Sequence, residues 1–518
     1  MQTIGQMLEG VARYEPNRIA IIFESLEFTY AELNRQVNQL AQGLISRGLS
    51  RGDRVMVFMQ NSPQIVTAYF AIAKAGLIIV PLNAAYRRDE ITHIGKDTAA
   101  KAIIADKDLW LREAEPIRDL PDLELIVVDE KEILPGVERL HDLMSAESGA
   151  PPDHAHLDDI VIILYTSGTT GRPKGATQTH RTILINLRGG CSANKFCRDD
   201  RLLCALPLYN SYGMNVLMMS AVASAATLVI ADRFDAREVL DHIKVHKCTF
   251  FAGTPTMFSY LLQEYDPNRD DVGSLRVTNS AGSHCAESLA REIERVFGTV
   301  HLCGYGKTES SGYTCLNPLV GIRKDNSVGT ALSSTQLKIV SDTDEELPAG
   351  QIGEVIERGD THSVHGYWNR PEINEQSYRG GWFHTGDLGY LDEDGYLFLV
   401  DRKSDLIITS GTNIYPAEIE QVLYSHPKVA LAAVIGVPDE LKGELPKAFI
   451  VLKKGEICTE QEIIDFVKSH IAKYKAPRMV AFVDSLPQGP SGKILKRELR
   501  KKLPGSGENG PTTNQKPT

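Results

Sequence analysis

A chain of 518 residues is far longer than one hydrophobic core needs, so at least two domains are expected. Apolar residues at 42% and charged residues at 24% exclude a disordered, collagen-like or small disulfide-rich protein. A formal net charge of −11 excludes a general binder of nucleic-acid polymers, which needs clustered cations, but says nothing against one bound nucleotide.

The opening MQTIGQMLEGVARYEP has neither a basic segment nor a long apolar one, so no secretory signal is expected and a cytoplasmic location is. Thr29-Tyr30-Ala31-Glu32 has capping-box spacing, and Leu33, Val37, Leu40 and Leu44 recur at helical intervals up to Gly48. The apolar runs 55–58 and 77–80 read as strands, with a helical pattern over 63–75 between them. That alternation predicts an α/β chain: mainly parallel sheets covered by helices. The longest apolar stretch, Val216 to Ala231, is broken by Ser220, Ser224 and Thr227. It falls short of the roughly 20 residues that span a bilayer and reads as a buried helix followed by a strand. Further buried runs follow at 227–231 and 249–251.

From about residue 350 the pattern changes to short strands punctuated by Gly and Asp, GEVIERG and GYLDEDGYLFLVDRKSDLI, which predicts a β-rich subdomain. Asp394-Gly395 there predicts a type I′ hairpin turn. After Asp401 come strands over 431–437 and 448–452 and a helix opened by Thr459-Glu460-Gln461-Glu462. These predict a small α+β domain. The expected division is a large domain over 1–401, a second over 402–503, and a polar tail over 504–518 with too little to bury to fold. The eight cysteines, at 191, 197, 204, 248, 285, 303, 315 and 458, show no CxxC pairing or zinc spacing and read as free thiols.

The run Ile160 to Leu164 leads straight into YTSGTTGRPKG, residues 165–175. A buried strand ending in Gly, Ser and Thr presents amide and hydroxyl donors together, which suits anionic oxygens, and Lys174 supplies a compensating charge. The loop is not of Walker A form, because no Gly-Lys-Ser or Gly-Lys-Thr closes it. Gly306-Lys307-Thr308 has that ending, but His301 stands where the first glycine is required. Asp392 and Asp394-Gly395 imitate part of a calcium loop, whose first ligand position is here Tyr390.

YTSGTTGRPKG, GYGKTES (304–310), WFHTGDLG (382–389), DRKSDLIITSGTNIYPAEIE (401–420) and PSGKILKREL (490–499) resemble, in order, the core motifs of the adenylate-forming superfamily. That superfamily includes acyl-CoA synthetases, aryl-CoA ligases, peptide-synthetase adenylation domains and firefly luciferase. The resemblance implies ATP-dependent activation of a carboxylic acid as acyl-AMP, with pyrophosphate released, followed by transfer of the acyl group to CoA. It implies that Thr166, Ser167, Gly168, Thr169, Thr170, Gly171 and Lys174 hold the β- and γ-phosphates. Glu309, with Thr166, would serve Mg2+, and Thr308 would contact phosphate. Gly282 and Ser283 would face Tyr305 across the adenine within the Gly304-Tyr305-Gly306 segment, and Asp387 and Arg402 would hold the ribose. Tyr209, Asn210 and Gly304 would border the acid, and Gly411 the pantetheine path. Lys493 would be the main catalytic cation, with Ser404 the hinge about which the second domain, mobile by the same resemblance, turns between half-reactions.

Three positions depart from the family pattern: Ser404 where Asp or Lys is usual, Asn210 where many relatives have His, and Cys303 in place of a polar residue. Tyr209 to Tyr212 offers no carboxylate for an α-amino group, so a fatty or aryl acid is expected rather than an amino acid. CoA is the expected acceptor. The alternatives are a stand-alone ligase loading a carrier protein, a light-emitting monooxygenase, and a non-catalytic adenylate-binding regulator, which would have lost Lys493 or Glu309. A homodimer is a further expectation.

Overall fold

The computed structural model describes residues 2–114, 117–118, 120–144, 149–151, 155–166, 173–332, 334–489 and 492–501. The expected disordered tail, 504–518, lies outside them. The chain forms two compact units, Met1–Leu399 and Val400–Thr518.

The first unit holds two large sheets. One is seven-stranded, in the order Glu138–Arg139, Leu125–Asp129, Ala102–Asp106, Arg54–Phe58, Ile78–Pro81, Ile160–Thr166, Lys174–Thr179. Its strands pair in parallel except for the closing hairpin of the last two. The unbroken apolar run Val55 to Phe58 suits a strand covered on both faces, and all four side chains are fully buried. Part of that cover is helical. Tyr30–Ser46 starts where Thr29 Oγ1 accepts from the Glu32 amide at 3.2 Å and Glu32 Oε2 accepts from the Thr29 amide at 2.9 Å. This reciprocal cap satisfies two donors that the first turn leaves unpaired. The helix buries Leu33, Val37, Leu40 and Leu44 and packs on Pro63–Lys74.

The second sheet has nine strands, with Val300–Lys307, Val277–Ser280, Phe250–Gly253, Arg201–Cys204, Thr227–Ile230 and Ile19–Phe23 in parallel at its centre. The stretch 216–231 forms the end of a π-type helical turn (Tyr212–Met219), a short helix (Ser220–Ala223) and the strand Thr227–Ile230, with 213–222 and the strand buried and Ala223 exposed. After Arg201–Cys204 the chain adds its next strand on one side and the following one, Phe250–Gly253, on the other. The order therefore reverses at Arg201–Cys204, and parallel sheets bind ligands beside the carboxyl ends of strands at such a reversal.

Thr335–Val340, Gly353–Gly359, Phe383–Leu391 and Leu397–Arg402 form a smaller sheet. The turn at Asp392–Gly395 is not type I′: of Asp394 and Gly395 only the glycine has positive φ, 78°. The Asp392 side chain decides this, its Oδ1 accepting from the Asp394 amide at 3.0 Å and the Tyr396 amide at 2.9 Å. A two-residue turn with both centres left-handed does occur at Ser410-Gly411, φ 50° and 79°, between the paired Thr409 and Thr412.

In the second unit Gly443–Leu452 pairs with Val429–Asp439, Ile407–Thr409 and Met479–Phe482. The helices Pro416–Tyr424 and Glu460–His470 close a core of Ile407, Ile414, Ile419, Leu423, Val434, Ile450, Ile463 and Val467. No helix among the described residues is long and apolar enough to cross a membrane.

Candidate active site

The ends of three adjacent parallel strands lie level, with Gly253 opposite Ser280 and Ser280 opposite Cys303. Gly282 and Ser283 leave the second strand, and Gly304-Tyr305-Gly306 continue the third. Gly282 has φ 85°, a region that side chains resist. At Gly306 a Cβ would lie 1.9 Å from the Gly312 carbonyl oxygen, because the chain folds back antiparallel against Gly312–Leu316. Only glycine fits that contact. Beside Gly304, the hydroxyls of Tyr212 and Tyr313 both donate to Asn279 Oδ1, at 2.5 and 2.8 Å, and Asn279 Nδ2 donates to the Leu302 carbonyl at 2.9 Å. Tyr209 and Asn210 follow the strand at the sheet reversal. Tyr209 is buried, which pushes its phenol up. The Asn210 amide donates to the Pro207 carbonyl at 3.1 Å, and its own carbonyl accepts from the Met214 amide at 2.9 Å, turning the chain into the next helix. Sequence reasoning missed Asn61, which fixes this segment from the other sheet by donating to the Leu206 and Ala231 carbonyls and accepting from the Leu208 amide.

Asp387 is buried yet doubly held. Tyr305 OH donates to its Oδ2 at 2.7 Å and Lys307 Nζ at 2.9 Å, while the same ammonium donates to the Thr385 carbonyl at 2.6 Å. Tyr305 and Lys307 point to the same side because they stand two apart on one strand. Burial and the Asp387 charge push the Tyr305 phenol well up, so it remains a donor. Lys307 was read only as a false Walker residue. Its partner lies 80 positions away, and no local pattern marks it.

Glu309 sits in the tight turn between Lys307 and Gly312. Ser311 in that turn has φ 62° and is pinned by donating from Oγ to Thr182 Oγ1 at 2.9 Å and the Thr361 carbonyl at 3.1 Å. Tyr367 OH donates to Glu309 Oε1 at 2.5 Å. Burial and the Glu309 charge push this phenol up as well. The Lys174 ammonium lies 5.7 Å from the centre of the same Tyr367 ring. The hairpin that carries Thr166 and Lys174 is tied down here: the Thr177 amide donates to the Gly366 carbonyl at 3.0 Å and the Trp368 amide to the Gly175 carbonyl at 2.8 Å. Gln178 Nε2 donates to the Thr308 carbonyl at 2.7 Å. Tyr367 thus joins two stretches expected to meet phosphate, and sequence reasoning did not find it either. Ser167, Gly168, Thr169, Thr170 and Gly171 lie outside the described residues.

Arg402, Ser404, Gly411 and Lys493 belong to the second unit. Arg402 and Ser404 are exposed in a turn closed by the Asp405 amide donating to the Arg402 carbonyl at 2.9 Å. Gly411 is the second centre of the Ser410-Gly411 turn. Lys493 follows Gly492, φ 75°, in a turn closed by the Gly489 amide donating to the Lys493 carbonyl at 2.8 Å and by pairing of Gln488 with Ile494. Three residues on, Lys496 Nζ lies 2.8 Å from Glu420 Oε1. Burial opposes its charge, but Glu420 and Asp401 outweigh this and push the ammonium up.

A family model described as AMP-binding enzyme matches residues 8–368, and one described as AMP-binding enzyme C-terminal domain matches 418–493. A feruloyl-CoA synthase of Amycolatopsis sp is 35% identical over 97% of this chain and 99% of its own. A long-chain-fatty-acid–CoA ligase of Bacillus subtilis (strain 168) is 33% identical over 96% of this chain and 94% of its own. The crystal structure of the anthranilate CoA ligase AuaEII in complex with anthranoyl-AMP superposes with a TM-score of 0.90 at 30% identity, covering 96% of this chain and 97% of that one.

Proposed function

The chain belongs to the AMP-binding enzyme family and is an AMP-forming acid–CoA ligase, and from that premise we propose how its residues divide the reaction. In the first half-reaction a substrate carboxylate oxygen attacks the α-phosphorus of ATP, the bond to pyrophosphate breaks, and an acyl-phosphate anhydride forms. In the second, the CoA thiol loses its proton and its sulfur attacks the acyl carbon, releasing AMP. Neither step needs a protein nucleophile. What the protein must supply is position and countercharge.

Asp387 accepts the ribose hydroxyls, aided by Arg402, while Tyr305 and Gly282-Ser283 flank the adenine. The hairpin from Thr166 through Ser167, Gly168, Thr169, Thr170 and Gly171 to Lys174 takes the β- and γ-phosphates. The observation that carries this reading is Tyr367 bridging Glu309 and Lys174, which sets a carboxylate and a cation around one ring. Glu309 with the hydroxyls of Thr308 and Thr166 is a hard oxygen set that fits Mg2+ shared with substrate phosphates. When bound, Mg2+ offsets the charge of the polyphosphate. Lys493 supplies the cation for charge developing on the α-phosphate and the attacking carboxylate, and the chain turns about Ser404 before thioester formation, which Gly411 admits. Tyr209, Asn210 and Gly304 border the acid, a fatty or aryl one.

Mass spectrometry of products after incubation with ATP, Mg2+ and a panel of carboxylic acids, with and without CoA, tests this. The expected result is acyl-CoA whose mass names the acid class. Acyl-AMP accumulating unchanged in the presence of CoA would instead assign the acceptor to a carrier protein.

A further inference from the structure

Outside the residues the reaction uses, Cys285, His301 and Cys303 converge from two separate segments, with Nε2 or Nδ1 of the imidazole and both Sγ atoms within 4.8 Å of one another. The first segment is the link after strand Val277–Ser280, and the second is strand Val300–Lys307 itself. Cys285 and His301 are buried. The imidazole is already oriented. His301 Nδ1 lies 2.9 Å from Thr278 Oγ1, and Nε2 lies 3.0 Å from Ser280 Oγ and 3.9 Å from Cys285 Sγ. In the tautomer whose Nδ1 donates to the threonine, Nε2 offers its lone pair beside Ser280 Oγ and Cys285 Sγ. Ring-nitrogen hydrogen bonds of this kind fix the tautomer of metal-binding histidines. Phe258 packs edge-on against the same ring at 5.0 Å, holding its plane.

We infer that Cys285, His301 and Cys303 form a site for a thiophilic divalent cation, Zn2+ being the natural occupant, with Ser280 Oγ or a water as fourth donor. Two thiolates and one imidazole are the ligand types that select zinc over magnesium or calcium. Zinc bonds of about 2.0–2.3 Å place tetrahedral ligands roughly 3.3–3.8 Å apart, so the cluster needs a contraction of about 1 Å. Ser280 Oγ, 3.0 Å from His301 Nε2 and 3.7 Å from Cys303 Sγ, is near enough to both to serve as that fourth donor. A second group, His426, Cys458 and Glu462, is also compact, but there the Lys428 ammonium sits 2.8 Å from Glu462 Oε1 and competes with any cation. The proposed ion would tie the segment bearing Gly282 and Ser283 to the strand bearing Tyr305.

The test is Co2+ titration of the reduced full-length protein, followed by absorption. The site predicts one equivalent bound, with an intense thiolate-to-cobalt charge-transfer band and tetrahedral ligand-field bands, all displaced by Zn2+. Cys303→Ser and Cys285→Ser should each lose the charge-transfer intensity expected of two thiolates. Thr278→Val keeps all three ligands and should weaken binding about 10- to 100-fold by freeing the imidazole. Absence of a charge-transfer band in the wild type, or a band unaltered in both serine variants, would overturn the proposal. Neither readout involves turnover, so a negative result leaves the ligase reading standing.

Discussion

Asp387 and Glu309 in the first unit are held by side chains from distant parts of the chain, whereas Lys493 in the second stands in a turn set by its own neighbours. Asp387 is gripped by Tyr305 and Lys307 across roughly 80 positions, and Glu309 by Tyr367 across 58. Around Lys493 the described backbone is closed over a few residues, by the Gly489 amide donating to the Lys493 carbonyl and by pairing of Gln488 with Ile494, with Gly492 in the left-handed region. Groups that bind a substrate throughout its stay benefit from such preorganised partners, which pay the cost of ordering during folding. A cation that serves only one of two half-reactions, the role proposed for Lys493, is better carried on a local, compact element that can be presented and withdrawn.

Removing the turn-borne cation should have the largest effect. Lys493→Ala should slow overall acyl-CoA formation about 10²–10³-fold, the usual loss for a group stabilising transition-state charge, with the melting temperature of the protein almost unchanged. Lys496→Met, three residues away, sharpens the contrast because that lysine is structural. Its pairing with Glu420 is largely shielded, side chains 18% and 13% exposed, and leaving that carboxylate with the Val434 amide but no countercharge should cost about 2–3 kcal/mol by analogy with broken buried pairs. Urea unfolding monitored on the second unit would read this loss.

In the first unit, Tyr367→Phe removes a hydrogen bond to a charged group, a change of about 2 kcal/mol. It should raise the KM for ATP or lower kcat roughly 10- to 30-fold while leaving the fold intact, which steady-state kinetics at varied ATP can separate. A smaller effect belongs to Asp106, a carboxylate that lacks the kind of support Asp387 has. Burial first, then the charges of Asp129 and Asp108, outweigh a hydrogen bond from the Gln60 amide and push it from 3.8 up to about 6. A raised acid favours folding fully below its unfolded value and loses that contribution as pH rises through its folded value. Asp106→Asn should therefore match the wild type below about pH 3.8 and become more stable as pH rises through 6, by about 1–2 kcal/mol above that. Denaturation midpoints at acidic and neutral pH would show it, and an equal offset at both would contradict it.

What could be read in advance follows the same division. The Thr29–Glu32 cap, the alternation of buried runs with helices and the buried strand that leads into Thr166 are local patterns, and periodicity exposes them; that the chain returns through Lys174 as a paired strand is not among them. The Asp394-Gly395 hairpin was legible but its turn type was not, because Asp392 satisfies two amides from outside the dipeptide. Lys307, Tyr367 and Asn61 carry no local mark at all. Each matters through a partner at least 58 positions away, which only the folded sheets bring near. The Cys285, His301 and Cys303 group was hidden for the same reason, its spacing resembling no familiar metal motif.

The most direct test of the division of labour is to measure the two half-reactions of Lys493→Ala separately, adenylate formation from ATP and acid, and thioester formation from supplied acyl-AMP and CoA. The account predicts that the first falls at least 100-fold, in line with loss of a preorganised donor to developing charge, while the second stays within a few-fold of wild type, by about the same reasoning. Equal loss in both half-reactions, or none in the first, would contradict it.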